Sequence, residues 1–252
     1  MALSVVIITQ DEERNIGRCI ASVRPFSDDI VVVDSGSADR TVAIATELGA
    51  RVSTRPWAGY SAQKNHANDL ARHGHILSLD ADEALSPELA ASIRAAGAAG
   101  WKGAYGFNRL TSYCGRWVRH GGWYPDTKIR IFPKEGARWR GDHVHETLEI
   151  DPGTPVTHLA GDLLHWSYHT LADHAGRIER YSGLHARKML AEGRRAGWIK
   201  RWLSPLFKFV QGYVFQLGFL DGSAGFHIAR YSARAVRLKY AKLHQLLRER
   251  QA

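Results

Sequence analysis

Two stretches decide the fold: Ile30-Val31-Val32-Val33-Asp34-Ser35-Gly36-Ser37-Ala38-Asp39 and His75-Ile76-Leu77-Ser78-Leu79-Asp80-Ala81-Asp82-Glu83. Each is a short apolar run that stops abruptly at carboxylates. Continuous rather than alternating hydrophobicity marks a strand covered on both faces, the habit of a parallel sheet. Working outward, Ser4-Val5-Val6-Ile7-Ile8 is a third run of the same type and Arg51 to Thr54 a short fourth. Helical spacing predicts helices over Glu13 to Val23, Thr41 to Leu48 (stopped by Gly49) and Ser61 to Arg72. Strand and helix therefore alternate through the first hundred residues. That order predicts an α/β fold with a mainly parallel central sheet and helices on both faces.

Beyond Trp101 the texture becomes rich in Gly, Trp and Tyr, with short alternating strands such as Lys128-Ile129-Arg130-Ile131-Phe132. These predict a small antiparallel extension. Helices return over Ala172 to Glu192 and Trp198 to about Phe219. Residues 1–170 are expected to form the catalytic domain, and residues 171–252 a basic, aromatic helical region packed on it. At 252 residues and 44% hydrophobic content, the chain can bury such a core.

In an open parallel sheet, ligands bind beyond the carboxyl ends of the strands. Here those ends are acidic, since Asp34 and Asp80 close two strands. The first strand ends in Thr9-Gln10-Asp11-Glu12-Glu13, with neither GxGxxG nor GxxxxGK[ST]. A nucleotide diphosphate bound there would lack a glycine cradle and need a cation. Asp80-Ala81-Asp82 can supply one, because Mg²⁺ or Mn²⁺ takes one or two carboxylates and fills its remaining positions with phosphate and water.

Four ordered phrases carry a family resemblance: Ile8-Thr9-Gln10-Asp11-Glu12-Glu13-Arg14-Asn15-Ile16, Val33-Asp34-Ser35-Gly36-Ser37-Ala38-Asp39-Arg40-Thr41, Gly59-Tyr60-Ser61-Ala62-Gln63-Lys64-Asn65 and Leu79-Asp80-Ala81-Asp82-Glu83. The chain resembles family 2 glycosyltransferases of the GT-A fold, most of all the branch that adds glucose to the inner core of lipopolysaccharide. The likeness continues through Val144-His145-Glu146 and Gly218-Phe219-Leu220-Asp221-Gly222. One departure is Asp11, where the family usually has Asn.

The resemblance implies a nucleotide-sugar donor, with UDP-glucose expected first, and a divalent cation, Mg²⁺ or Mn²⁺. Thr9, Glu12 and Asp34 are then expected at the uridine, Gln63 and Lys64 near the nucleotide or its phosphates, Asp80 at ribose or metal, and Asp82 on the metal. Inverting transfer needs a base for the acceptor hydroxyl. Glu146 matches that position, with His145 as its orienting partner and Asp126 and Asp142 in reserve. His165 is expected as a further metal or phosphate contact. A His143/His145 zinc site is not expected, because no third ligand stands at familiar spacing.

Charge is split along the chain. Residues 1–176 carry 18 Lys+Arg against 21 Asp+Glu, whereas residues 177–252 carry 16 against 4. Such a basic tail, with aromatics interleaved at Trp198 to Phe209, suits an anionic membrane surface and a lipid-linked or lipopolysaccharide acceptor. Met1 leads straight into the first apolar run, and Cys19 and Cys114 form no disulfide framework. Cytoplasmic residence, peripheral on the inner face of the cytoplasmic membrane, is the expectation. Two rivals stand beside this reading. One is a nucleotidyltransferase or nucleic-acid-binding protein, which the acidic first half disfavours. The other is a non-catalytic membrane adaptor on a GT-A scaffold.

Overall fold

A computed structural model describes residues 2–141, 146–195 and 197–250. They form two compact units: Met1–Arg109 with Asp126–Trp166, and Leu110–Pro125 with Ser167–Ala252.

In the first unit the chain runs β1 (Ser4–Thr9), α1 (Ile16–Val23), β2 (Asp29–Asp34), α2 (Thr41–Glu47), β3 (Arg51–Thr54), α3 (Tyr60–Asp69), β4 (His75–Asp80), β5 (Glu83–Leu85), α4 (Pro87–Ala98) and β6 (Ala104–Tyr113). After the short β7 (Arg116–Val118) come β8 (Thr127–Pro133), β9 (Ala137–Arg140), β10 (Thr147–Ile150) and β11 (Val156–Tyr168). Strands are ordered β3-β2-β1-β4-β8-β6-β11-β5 across one sheet, while β9 and β10 form a separate hairpin. The first four are parallel. β8 pairs antiparallel with both β4, at Ile76 opposite Phe132, and β6, and β11 pairs antiparallel with β5. The expected antiparallel extension is thus the second half of the same sheet, since β8 completes the hydrogen-bonding edge that β4 would otherwise leave open.

The continuous apolar runs are explained by burial on both faces. All six residues of β1 and of β2 are buried. Because side chains alternate across a strand, Val5 and Ile7 pack against Ile16, Ile20 and Ile93 on one face. Val6 and Ile8 pack with Ala67, Phe132 and Trp139 on the other. Each fully buried Val or Ile contributes roughly 1.5–3 kcal/mol. Register is therefore fixed, because a slip of one residue would exchange the faces.

The second unit contains the Arg116–Val118 strand paired to the Thr111–Tyr113 end of β6, and the helices α5 (Leu171–Ala191), α6 (Trp198–Val210) and α7 (Gly222–Glu249). Thr170 caps α5 through a reciprocal pair with Asp173. The helix expected to reach Phe219 ends at Val210, continues as a π turn over Gln211–Phe215, and breaks at Leu217 with φ +57°. The backbone then passes so close to itself that glycine is required, since a Cβ on Gly218 would lie 2.6 Å from the Gly212 carbonyl oxygen. Among the described residues, no helix is long and apolar enough to cross a membrane.

Candidate active site

Strand order brings the expected residues to one edge. Thr9 closes β1, with Asp34 its register partner on β2, while Ile8 faces Asp80 on β4. Three strand ends thus present a hydroxyl and two carboxylates side by side. The loops that follow are knitted together. Asp11 N–H donates to Ser37 Oγ at 2.9 Å, Ala38 N–H donates to the Asp11 carboxylate at 2.8 Å, and Glu12 N–H donates to Thr41 Oγ1 at 2.8 Å. Asp11 has φ +53°, a left-handed conformation that Asn and Asp tolerate better than other side chains. The substitution of Asp for the usual Asn therefore keeps both the backbone and the acceptor. Asp34, 2% exposed, closes its own loop by accepting from Gly36 N, Ser37 N and Ser37 Oγ. Glu12 accepts from Asn15 Nδ2 at 2.6 Å.

Helix α3 ties this edge together. Gln63 and Lys64, 0% and 2% exposed, are not solvent-facing helix polars. Gln63 Nε2 donates to Ser35 Oγ and to the Arg55 carbonyl. Lys64 Nζ lies 3.1 Å from Asp80 Oδ1 and 3.2 Å from Glu146 Oε1, above the ring of Trp139 at 4.6 Å. Ser61 donates to the Gly141 carbonyl, and Asn65 pairs with the Trp139 backbone through both its amide groups. Every polar residue of Ser61-Ala62-Gln63-Lys64-Asn65 thus anchors a segment distant in sequence.

Residues that the sequence reading did not select complete the network. Arg130, buried on β8, contacts Asp80 Oδ2 at 3.0 Å and Glu83 Oε1 at 2.7 Å. Glu83, 0% exposed, also accepts from Asp80 N–H and lies 3.6 Å from Arg109. Arg109 grips Asp126 at 2.7 Å, and Lys128 meets Asp126 at 2.9 Å. A signal for Arg130 existed: period-two alternation puts it on the same strand face as Phe132.

Glu146, Lys64, Asp80, Arg130, Glu83, Arg109, Asp126 and Lys128 make a chain of alternating charges that sums to zero. Burial pushes the Asp80 carboxyl pKa up, but Lys64 and Arg130 outweigh it and hold that carboxyl well below the usual carboxylate range. Burial likewise opposes ionisation of Asp126, yet Lys128 and Arg109 lower it, so this reserve base is held ionised in an ion pair.

Asp82 stands outside this chain. His165, brought by β11 opposite Glu83, places Nε2 3.2 Å from Asp82 Oδ2, and Trp166 N–H donates to the Asp82 carbonyl. The pair offers an oxygen ligand from the turn between β4 and β5 and a nitrogen ligand from β11. Among the described residues no cluster of three or more His, Cys, Asp or Glu side chains has metal-binding geometry. Asp82 and His165 fit a cation whose other positions are filled by phosphate and water, whereas both Asp80 oxygens already face cations. His145 and Asp142 lie outside the described residues, as does His143. Thr9 Oγ1 and Gln63 Oε1 are buried and without a hydrogen-bond partner among the described residues, so polar valence remains at the edge where a ligand would sit.

A sequence profile described as Glycosyl transferase family 2 matches residues 4–148. An uncharacterized glycosyltransferase of Rickettsia bellii is 30% identical over 97% of this chain and 86% of its own. The lipopolysaccharide core biosynthesis glycosyltransferase LpsC of Rhizobium meliloti is 28% identical over 97% of this chain and 93% of its own. Among solved structures, glucosyl-3-phosphoglycerate synthase from Mycobacterium tuberculosis, in complex with Mn²⁺, UDP and glucosyl-3-phosphoglycerate, aligns over 44% of each chain at 22% identity with a TM-score of 0.37. With the profile covering more than half of its length and a relative aligned almost end to end, the chain belongs to glycosyl transferase family 2 and is a glycosyltransferase.

Proposed function

We propose that the enzyme transfers a hexose with inversion, in a reaction that requires a divalent cation, from a nucleotide-sugar to a lipopolysaccharide core or other membrane-linked glycan, acting on the inner face of the cytoplasmic membrane. UDP-glucose is the first donor to test. One observation carries the reading: a single buried ammonium, Lys64, joins Asp80 of the Asp-Ala-Asp turn to Glu146, so the donor motif and the candidate base share one site.

Thr9, Glu12 and Asp34 receive the uridine, with Gln63 bracing the Asp34 loop through Ser35. Because the eight-membered charge chain is already neutral, it offers no net positive charge to a diphosphate. Asp82 and His165 hold the cation, Mg²⁺ or Mn²⁺, which neutralises charge on the leaving nucleoside diphosphate when bound. Glu146, held at Oε1 by Lys64, accepts the acceptor hydroxyl's proton at Oε2 as the oxygen attacks the anomeric carbon. Asp80 keeps Lys64 in place for that step. No carboxylic acid is needed at the leaving oxygen, in contrast to a glycosidase pair.

The test is a screen of nucleotide-sugars with Mn²⁺ or Mg²⁺, scoring nucleoside diphosphate release with and without EDTA. Release with a UDP-hexose that EDTA and Asp82→Ala both abolish is expected. Turnover indifferent to both would refute the cation's role, and biological activity retained by Asp82→Ala without any turnover would turn the reading toward an adaptor.

A further inference from the structure

The helical unit leaves a run of large apolar side chains in water between Trp202 and Phe226. On α6, Leu203, Leu206 and Phe207 are 58%, 61% and 62% exposed. Beyond it, Phe215 on the π turn is 71% exposed, and Phe219 and Leu220 in the 3₁₀ turn over Gly218–Asp221 are 46% and 57% exposed. A contiguous exposed patch of such residues marks an interaction surface. The residues are not displaced core, since this unit buries Tyr113, Val118, Ala224 and Ile228 in one cluster and Ala186, Met189 and Leu243 in another.

Charge decides the occupant. Lys200 is exposed beside the patch, and the guanidinium groups of Arg201 and Arg237 lie 5.9 and 5.6 Å from the Trp202 ring. Between residues 193 and 248 the single acid is Asp221. Its carboxylate faces inward, accepting from the Arg119 and His120 N–H groups and lying 2.9 Å from His120 Nδ1. A second copy of the chain would set this cationic rim against an identical one, and like charges oppose that contact. An anionic lipid leaflet meets both features, because acyl chains take the apolar side chains and headgroup phosphates take Lys200, Arg201 and Arg237.

We propose that α6, the π turn and the 3₁₀ turn form a wedge that inserts into the headgroup and acyl boundary of an anionic phospholipid leaflet, with Trp202 and its two arginines at headgroup level. The wedge deepens the membrane reading of the function, and rests on it, by naming the inserting element and the lipid chemistry.

The full chain is sedimented with phosphatidylcholine vesicles, with and without phosphatidylglycerol, and run alone by analytical ultracentrifugation. Wild-type protein is expected to bind the anionic vesicles selectively, and less so as salt rises. Phe207→Glu with Phe215→Glu is expected to weaken binding on the order of 100-fold, and Lys200→Glu with Arg201→Glu about tenfold or more. Lys200, Phe207 and Phe215 are exposed and Arg201 is half-buried beside Trp202, so far-UV melting should stay close to wild type in both variants. Binding to both vesicle types that the glutamate variants leave intact would overturn the wedge. So would a dimer that forms without vesicles and dissolves in the Phe207/Phe215 variant. Vesicle binding is scored without sugar transfer, so loss of the glycosyl-transfer reading with binding intact would leave the wedge standing.

Discussion

Replacing Lys64 by Met keeps an unbranched apolar side chain and deletes the ammonium, with its place over the Trp139 ring, so it isolates what the ammonium does. Two contacts at 3.1 and 3.2 Å are at stake. At an effective dielectric constant of about 20, each is worth roughly 5 kcal/mol of gross attraction. Most of this is cancelled by the cost of holding an ammonium out of water, several kcal/mol in its own right. Asp80 and Glu146 are 28% and 21% exposed, so water recovers part of their solvation once Lys64 is gone. The net loss of stability is expected to be about 3 kcal/mol, read by urea unfolding. A larger effect is expected on turnover. Without Lys64 at Oε1, Glu146 is no longer fixed, and misplacement of a reacting group by about 1 Å costs on the order of 100-fold in rate. The decisive assay is a double-mutant cycle on kcat with Lys64→Met and Glu146→Gln. A coupling of about 1–2 kcal/mol is expected for residues in direct contact. Additivity within about 0.3 kcal/mol, or a Lys64→Met enzyme at wild-type kcat, would show that the link between Asp80 and Glu146 is structural ornament with no part in transfer.

Glu146→Gln alone should lower kcat by about 10²–10⁴ while leaving cation-assisted donor binding by calorimetry unchanged, because the substitution removes a base and not a phosphate contact. In the helical unit, burial and the Arg177 charge hold His174 down to about 4, against about 6.5 in an unfolded chain. The unfolded state therefore takes up the proton first. Stability is complete above about pH 6.5 and falls by up to roughly 3 kcal/mol as pH drops toward 4. Urea titrations at pH 7 and 4.5 should show the loss, and His174→Gln should flatten it.

The strand ends were legible because their signal is local. An apolar run that stops at Asp34 or Asp80 identifies both the strand and the edge where chemistry gathers, and the structure sets those ends on either side of Thr9. The environment of Gln63 and Lys64 was not legible. On a short helix they look solvent-facing, and the groups that bury them come from Ser35, Arg55, Asp80 and Glu146, whose positions depend on how the sheet is ordered. Arg130, Arg109 and Glu83 were missed for a related reason: an isolated charge in a strand reads as surface until the opposite charge from another strand is known to lie against it. The break at Leu217 was hidden in the same way, because Gly212 and Gly218 signal close approach only when their backbones are seen to touch.

The alternating chain from Glu146 to Lys128 constrains how sequences in this lineage can drift. A single loss inside it strands an odd charge, so tolerated changes should arrive as compensated pairs. A relative without Arg109 is expected to lack the carboxylate at 126 as well, and one that replaces Arg130 should also alter position 83. Aligned descendants would then show these positions covarying, while Asp82 and His165, outside the chain, keep to a rhythm of their own.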